Sequence, residues 1–143
     1  MELSKRINPS TWAFIETVKK AGGKPLYDLP VEEGRAIFDN LQALSSEKPD
    51  VDIEEHKLPV GPHGHVNVSI IRPKGVKEAL PVLMYFHGAG WVFGGYKTHG
   101  RLVREIAVGA NVALVFVNYT LAPEAKYPTQ IEESYAATKY IAE

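Results

Sequence analysis

The chain has 143 residues, 45% of them hydrophobic and 23% charged, with 16 Lys and Arg against 17 Asp and Glu for a net charge of −1. That length suits one domain with a single core, and that composition excludes a disordered chain. The even charge balance leaves no basic surplus for nucleic acid or anionic membranes, and the absence of cysteine excludes disulfides and thiolate metal sites.

Met1 to Arg6 holds no apolar run of the kind that opens a secretory signal, and the dense apolar stretch from Ala79 to Phe86 is too short to span a bilayer. The expectation is a soluble, cytoplasmic protein. No internal repeat is present. A helical first third is followed by alternating strands and helices.

Asn8-Pro9-Ser10 predicts a helix start, with a capping side chain and a proline in the first turn. Trp12, Ile15 and Val18 recur at helical spacing until Gly22-Gly23 ends the run. A second start is expected at Asp28-Leu29-Pro30, with Glu32 and Glu33 set against the helix dipole and Ile37, Leu41 and Leu44 as the apolar stripe. From Asp50 the period changes. Val51, Ile53 and Leu58-Pro59-Val60 predict a strand, and Gly61-Pro62-His63-Gly64 a turn. Val66, Val68 and Ile70 alternate with His65, Asn67 and Ser69, which predicts a half-buried strand paired antiparallel to the first at a sheet edge.

Leu80 to Phe86 is apolar on both faces, as an interior strand covered by helices would be. A glycine-rich loop runs from His87 to Gly95. Thr98 to Ala110 predicts a helix with Leu102, Ile106 and Ala110 as its stripe, and Asn111 to Val117 a second two-sided strand. After the proline-rich stretch Leu121 to Pro128, Ile131 to Ile141 predicts a helix with Tyr135 and Thr138 on the Ile131 side. Strand, helix, strand, helix implies right-handed crossovers and a mainly parallel sheet.

The chemistry concentrates in His87-Gly88-Ala89-Gly90-Trp91, directly after a buried strand. Three readings compete. A dinucleotide fingerprint would use Gly88, Gly90 and Gly94, but its glycines must open a helix at once, whereas Trp91, Val92 and Phe93 intervene here. The next strand also ends in Val117-Asn118, without the acid that would hold a ribose. An oxyanion hole would use backbone N–H donors against the charge that builds on an ester carbonyl during acyl transfer. A plain tight turn is the third reading.

Downstream, Tyr119-Thr120-Leu121-Ala122-Pro123-Glu124-Ala125-Lys126-Tyr127-Pro128 follows the next strand. With the glycine loop, and with Gly61 to Pro73 as the turn and strand ahead of it, this segment resembles the hormone-sensitive-lipase family of α/β-hydrolases. The resemblance covers Asp50 to Glu143 and implies an incomplete α/β-hydrolase fold with about four strands, an antiparallel first pair and N-terminal cap helices. The implied division is a helical cap segment over 1–48 and the N-terminal part of the hydrolase domain over 49–143. Ala89 and Gly90 match positions whose N–H groups line the family's oxyanion hole, and Gly88 shapes the turn. Ala89 replaces the family's usual middle glycine, which restricts φ and keeps the donor. His87, Tyr119 and Glu124 match residues that fix the loops, and Trp91, Phe93 and Tyr96 are candidate pocket residues. Thr120 stands where the family often has arginine.

The same resemblance implies a G-x-S-x-G elbow, then an acid and a histidine further along. None of Ser4, Ser10, Ser45, Ser46, Ser69 and Ser134 has glycine flanks. Ser134 falls inside a helix, where a packed or solvated hydroxyl is expected. His63 and His65 flank a turn, His56 lies in a strand and His99 opens a helix, so no catalytic set assembles from them. No metal or cofactor is expected. The implied function is that of an N-terminal fragment of a serine carboxylesterase or lipase. It carries the oxyanion loop and is not competent alone, and the complete enzyme acts on a small acyl ester. The alternative is a non-catalytic module that forms homo-oligomers through the open edge of the Leu80 to Phe86 strand.

Overall fold

The computed structural model describes residues 6–43 and 47–143. The chain forms two compact units that divide between Pro30 and Val31. In the first, helix α1 (Pro9–Ala21) starts where the sequence predicts, with Asn8 Oδ1 accepting the Ser10 N–H at 2.9 Å. The backbone leaves the helix at Gly22 in a positive-φ conformation that glycine adopts freely. No residue of α1 is buried, so the Trp12, Ile15 and Val18 stripe packs less than its pattern predicts. A 3₁₀ turn spans Leu26–Asp28, just ahead of the second predicted helix start.

The second unit opens with helix α2 (Val31–Ala43). Ile37 of its expected stripe is 39% exposed; Leu44 and the side chain of Leu41 lie outside the described residues. Four strands follow: β1 (Val51–Leu58), β2 (Val66–Pro73), β3 (Val82–Tyr85) and β4 (Ala113–Asn118). They form one sheet in the order β1-β2-β4-β3. β1 and β2 are antiparallel, as expected, with Val51 opposite Pro73 and Leu58 opposite Val66. The sheet is mixed rather than mainly parallel, because β2 also runs antiparallel to β4 and the parallel pairing is β3 with β4. The β3–β4 connection is the crossover, carried by helix α3 (Tyr96–Ala110), and a parallel pair requires one. Helix α4 (Thr129–Ala142) follows β4.

Helices cover both faces of the sheet. Val103 and Ala107 of α3 pack with Val51, Ile71, Leu114 and Phe116. Ala137 of α4 packs with Val66, Val68, Val115, Val117 and Tyr119 on the opposite face. Two-sided cover explains why β2 departs from half-burial: Ser69, expected on a solvent face, is 1% exposed, and Ile71 is fully buried. Ser69 tolerates this by donating to Glu55 Oε2 at 2.8 Å and accepting from Asn118 Nδ2 at 3.0 Å.

Three further expectations change. β3 lies at the sheet edge, as the open-edge alternative expects, but is four residues long and leaves Val82 and Phe86 about half exposed where cover on both faces was expected. α3 buries Thr98, Gly100, Val103 and Ala107, one position on from the Leu102, Ile106 and Ala110 stripe. α4 buries Gln130, Glu133 and Ala137 while Ile131 and Tyr135 are exposed, because its inner face bonds loop backbone as well as packing on the core.

Candidate functional site

The loop leaves the C-terminal end of β3 and reaches α3 only at Tyr96, so it does not open a helix as a dinucleotide fingerprint must. Within it Ala89, Gly90 and Trp91 all take positive φ, at 85°, 64° and 59°. Non-glycine residues adopt that region rarely, and holding two of them there requires contacts from outside the loop.

Contacts from outside the loop, and two from within it, converge on five of its carbonyls. The Tyr119 hydroxyl donates to His87 O at 2.6 Å. His87 Nδ1–H donates to Gly88 O at 2.9 Å, and the Phe93 N–H to Ala89 O at 3.2 Å. The Ala122 N–H donates to Trp91 O at 2.8 Å, and Arg35 Nε to Val92 O at 2.8 Å. Among the described residues, no protein acceptor takes the N–H of Ala89 or Gly90. Five carbonyls, those of His87, Gly88, Ala89, Trp91 and Val92, are thus held, while the adjacent donors of Ala89 and Gly90 are among several loop amides left without a protein acceptor.

His87 is buried, its ring lying 4.3 Å from that of Tyr119 at 8° and 5.4 Å from Phe116 at 2°. Burial pushes its imidazole below the usual histidine range, and neighbouring His99 adds to this. A neutral ring suits the donor role of Nδ1. Burial also pushes the Tyr119 hydroxyl up to about 12, so it stays protonated and donating.

Glu124, the third expected loop-fixing residue, accepts from both terminal nitrogens of Arg35, at 2.7 and 2.9 Å. That fork lowers its carboxyl to about 2. The second terminal nitrogen also donates to Ala122 O at 2.9 Å. On the opposite side, buried Glu133 accepts from Thr120 N at 2.6 Å and Thr120 Oγ1 at 2.9 Å, and lies 3.4 Å from His63 Nδ1. Gln130 Nε2 reaches Thr120 O and Ala125 O, each at 3.0 Å.

Sequence reasoning missed Arg35, Gln130 and Glu133. Arg35 bonds residues 57 to 89 positions away and sits beside Glu32 and Glu33 in what reads as a solvated face. A buried glutamate in an amphipathic helix has no local signature at all.

A cavity of about 460 Å³ opens against the loop, lined by Phe86, His87, Gly88, Gly90, Trp91, Tyr119, Ile131 and Ser134. Of the three candidate pocket residues, Trp91 lines it. Phe93 instead packs on Phe38, with ring centroids 6.4 Å apart. Tyr96 meets Phe116 edge-on at 5.9 Å and borders a separate cavity with Arg104. Ser134 faces the first cavity, but its hydroxyl donates to Gln130 O at 2.7 Å, inside its own helix. Among the described residues, no group of three metal-ligating side chains forms, and no helix is long and apolar enough to cross a membrane.

A family model described as the alpha/beta hydrolase fold matches residues 83–143. A protein of Acanthamoeba polyphaga mimivirus named for that fold is 48% identical over 134 residues, 94% of this chain and 37% of the relative. Carboxylesterase NlhH of Mycobacterium tuberculosis is 38% identical over 79% of this chain and 35% of its own length. Among solved structures, a thermostable esterase from Pseudomonas putida superposes with a TM-score of 0.90 at 38% identity, over 95% of this chain and 42% of that one. The chain spans between a third and a half of the length of these relatives.

Proposed function

The chain belongs to the hormone-sensitive-lipase-like family of α/β-hydrolases, and on that premise we propose that it supplies the oxyanion-hole loop of a carboxylic-ester hydrolase. The observation that carries this reading is the glycine loop itself. Five of its carbonyls are engaged by the protein, the adjacent N–H groups of Ala89 and Gly90 have no protein acceptor, and Gly88 and Gly90 line an apolar cavity. When a nucleophile adds to an ester carbonyl, negative charge gathers on its oxygen. Donors already fixed in place stabilise that charge without reorganising, which is where most of the benefit of such a hole lies. Gly88 gives the turn its tightness, and the cavity wall of Phe86, Trp91 and Ile131 suits a small acyl group.

These 143 residues contain no G-x-S-x-G, and Ser134 has neither the strained turn nor a free hydroxyl. By themselves they therefore bind and polarise an acyl group without turning it over, the residual role that remains when a triad is removed. Residues 1–48 act as the helical cap segment and 49–143 as the hydrolase part. The proposed location is the cytoplasm, compatible with a cysteine-free sequence.

Two measurements test this. Titration with acetate is expected to move the amide resonances of Ala89 and Gly90. Hydrolysis of p-nitrophenyl butyrate by the purified chain is expected to stay at the rate of buffer plus free histidine. Unmoved amides refute the hole, and saturable turnover refutes the incompetence.

A second reading is favoured by the edge position of β3, which pairs on one side only and leaves Val82 54% and Phe86 46% exposed. Two such edges pairing would give a homo-oligomer, as open apolar edges do. A clean monomer in size-exclusion chromatography with light scattering would remove this reading.

A further inference from the structure

We infer that Arg35 is the positioning residue of the glycine loop, the side chain through which α2 sets the direction of the Ala89 and Gly90 donors. The inference rests on the oxyanion reading of that loop. One planar guanidinium joins three pieces of chain: Nε holds Val92 O on the loop's outgoing leg, and a terminal nitrogen holds Ala122 O in the proline-rich segment. The same fork closes on both oxygens of Glu124. Between these anchors, the Ala122 N–H bonds Trp91 O, so the outgoing leg is held at two consecutive residues, Trp91 and Val92. Three residues further along α2, Phe38 packs on Phe93 and braces the next position.

The geometry explains why the residue is arginine. Five N–H donors in one plane can satisfy a carboxylate and two carbonyls at once, whereas a lysine ammonium has three donors and no fixed fork. The Arg35 side chain is 24% exposed and its bonds to Val92 O and Ala122 O are partly buried, so water competes weakly there, while the Glu124 end of the fork is half exposed. Glu124 stays ionised down to about 2, which keeps the fork charged across the ordinary pH range. The loop carries two non-glycine residues at positive φ and would relax if its outgoing leg came free. Relaxation would turn the two donors away from a common acceptor.

The test uses acetate as the probe at neutral pH, with amide resonances of Ala89 and Gly90 as the readout, in the wild-type chain, Arg35→Lys and Glu124→Gln. In the wild-type chain both amides should shift saturably. Arg35→Lys should raise the acetate dissociation constant about fivefold, and Glu124→Gln by a smaller factor, with dispersed spectra showing that the fold persists. A merely structural role would lower the melting temperature and leave the constant alone. An unchanged constant in a folded Arg35→Lys protein overturns the positioning role while the oxyanion reading stands. Should Arg35→Lys fail to fold, an unchanged constant in Glu124→Gln overturns it equally. Wild-type amides that do not respond overturn the oxyanion reading, and the positioning role falls with it.

Discussion

Replacing Tyr119 with phenylalanine isolates one contact of the loop. The ring, its stacking on His87 at 4.3 Å and its place in the core are kept; only the hydroxyl that donates to His87 O at 2.6 Å is lost. His87 is 6% exposed, so its carbonyl is left in a setting where water does not readily replace the donor. Leaving a buried acceptor unpaired costs about 1–2 kcal/mol. Unfolding entropy of roughly 2.1 cal/mol/K per residue gives about 0.3 kcal/mol/K for 143 residues, so the melting temperature should fall by about 3–7 °C. The urea midpoint should fall with an unchanged slope. An alkaline arm sharpens the test. The folded hydroxyl titrates at about 12, above its ordinary 10, so its contribution is fully present below the lower value and disappears as pH rises through the higher one. Tyr119→Phe should lose that part of the alkaline sensitivity. A variant that melts with the wild-type protein, and declines identically at high pH, would show that the hydroxyl does not fix the loop.

Glu133→Ala should be more damaging, since the Thr120 N–H and hydroxyl lose their acceptor at once; a loss of about 2–4 kcal/mol in urea titration is expected. Gly94→Ala places a methyl 3.1 Å from His87 Nδ1 and 3.3 Å from Gly88 O at a φ of +87°, so it should cost about 1–3 kcal/mol and disturb the His87–Gly88 bond. Ala89→Gly, at a φ of 85°, removes the strain of the methyl and should raise the melting temperature, with a gain of about 0.5–1 kcal/mol after glycine's larger unfolded entropy is subtracted. Differential scanning calorimetry reads both glycine substitutions.

The parts of the fold legible in the sequence are those set by local chemistry. Asn8-Pro9 starts a helix because a side-chain acceptor and a fixed φ act within three residues, and Gly61 to Gly64 turns because its glycines take positive φ. The choice of helix face was not legible. In α3 two adjacent stripes are both apolar, and the one that packs is the one whose Val103 and Ala107 meet Val51, Ile71, Leu114 and Phe116. In α4 the inner face carries Gln130 and Glu133, whose partners are backbone groups of loops that a hydrophobic pattern cannot register. Arg35 was invisible for the same reason, as its value depends on three carbonyl or carboxylate groups that only the folded chain brings together.

That division bears on the site itself. The donors proposed for the oxyanion belong to the backbone, so the side chain at residue 89 is free to be alanine in place of glycine as long as the backbone keeps its sign of φ. What a backbone hole cannot supply is its own rigidity, because a loop with positive φ at Ala89 and Trp91 tends to relax toward commoner conformations. The restraint comes instead from side chains outside the loop, namely Tyr119, Arg35 and, through Arg35, Glu124, aided by the Ala122 N–H. Each of them acts on a carbonyl or on the residue that holds one, and none occupies an N–H of Ala89 or Gly90. A loop held by its carbonyls at His87, Gly88, Ala89, Trp91 and Val92, with the adjacent donors of Ala89 and Gly90 free, suits an anion, and the two motifs recognisable in the sequence are the two ends of that restraint.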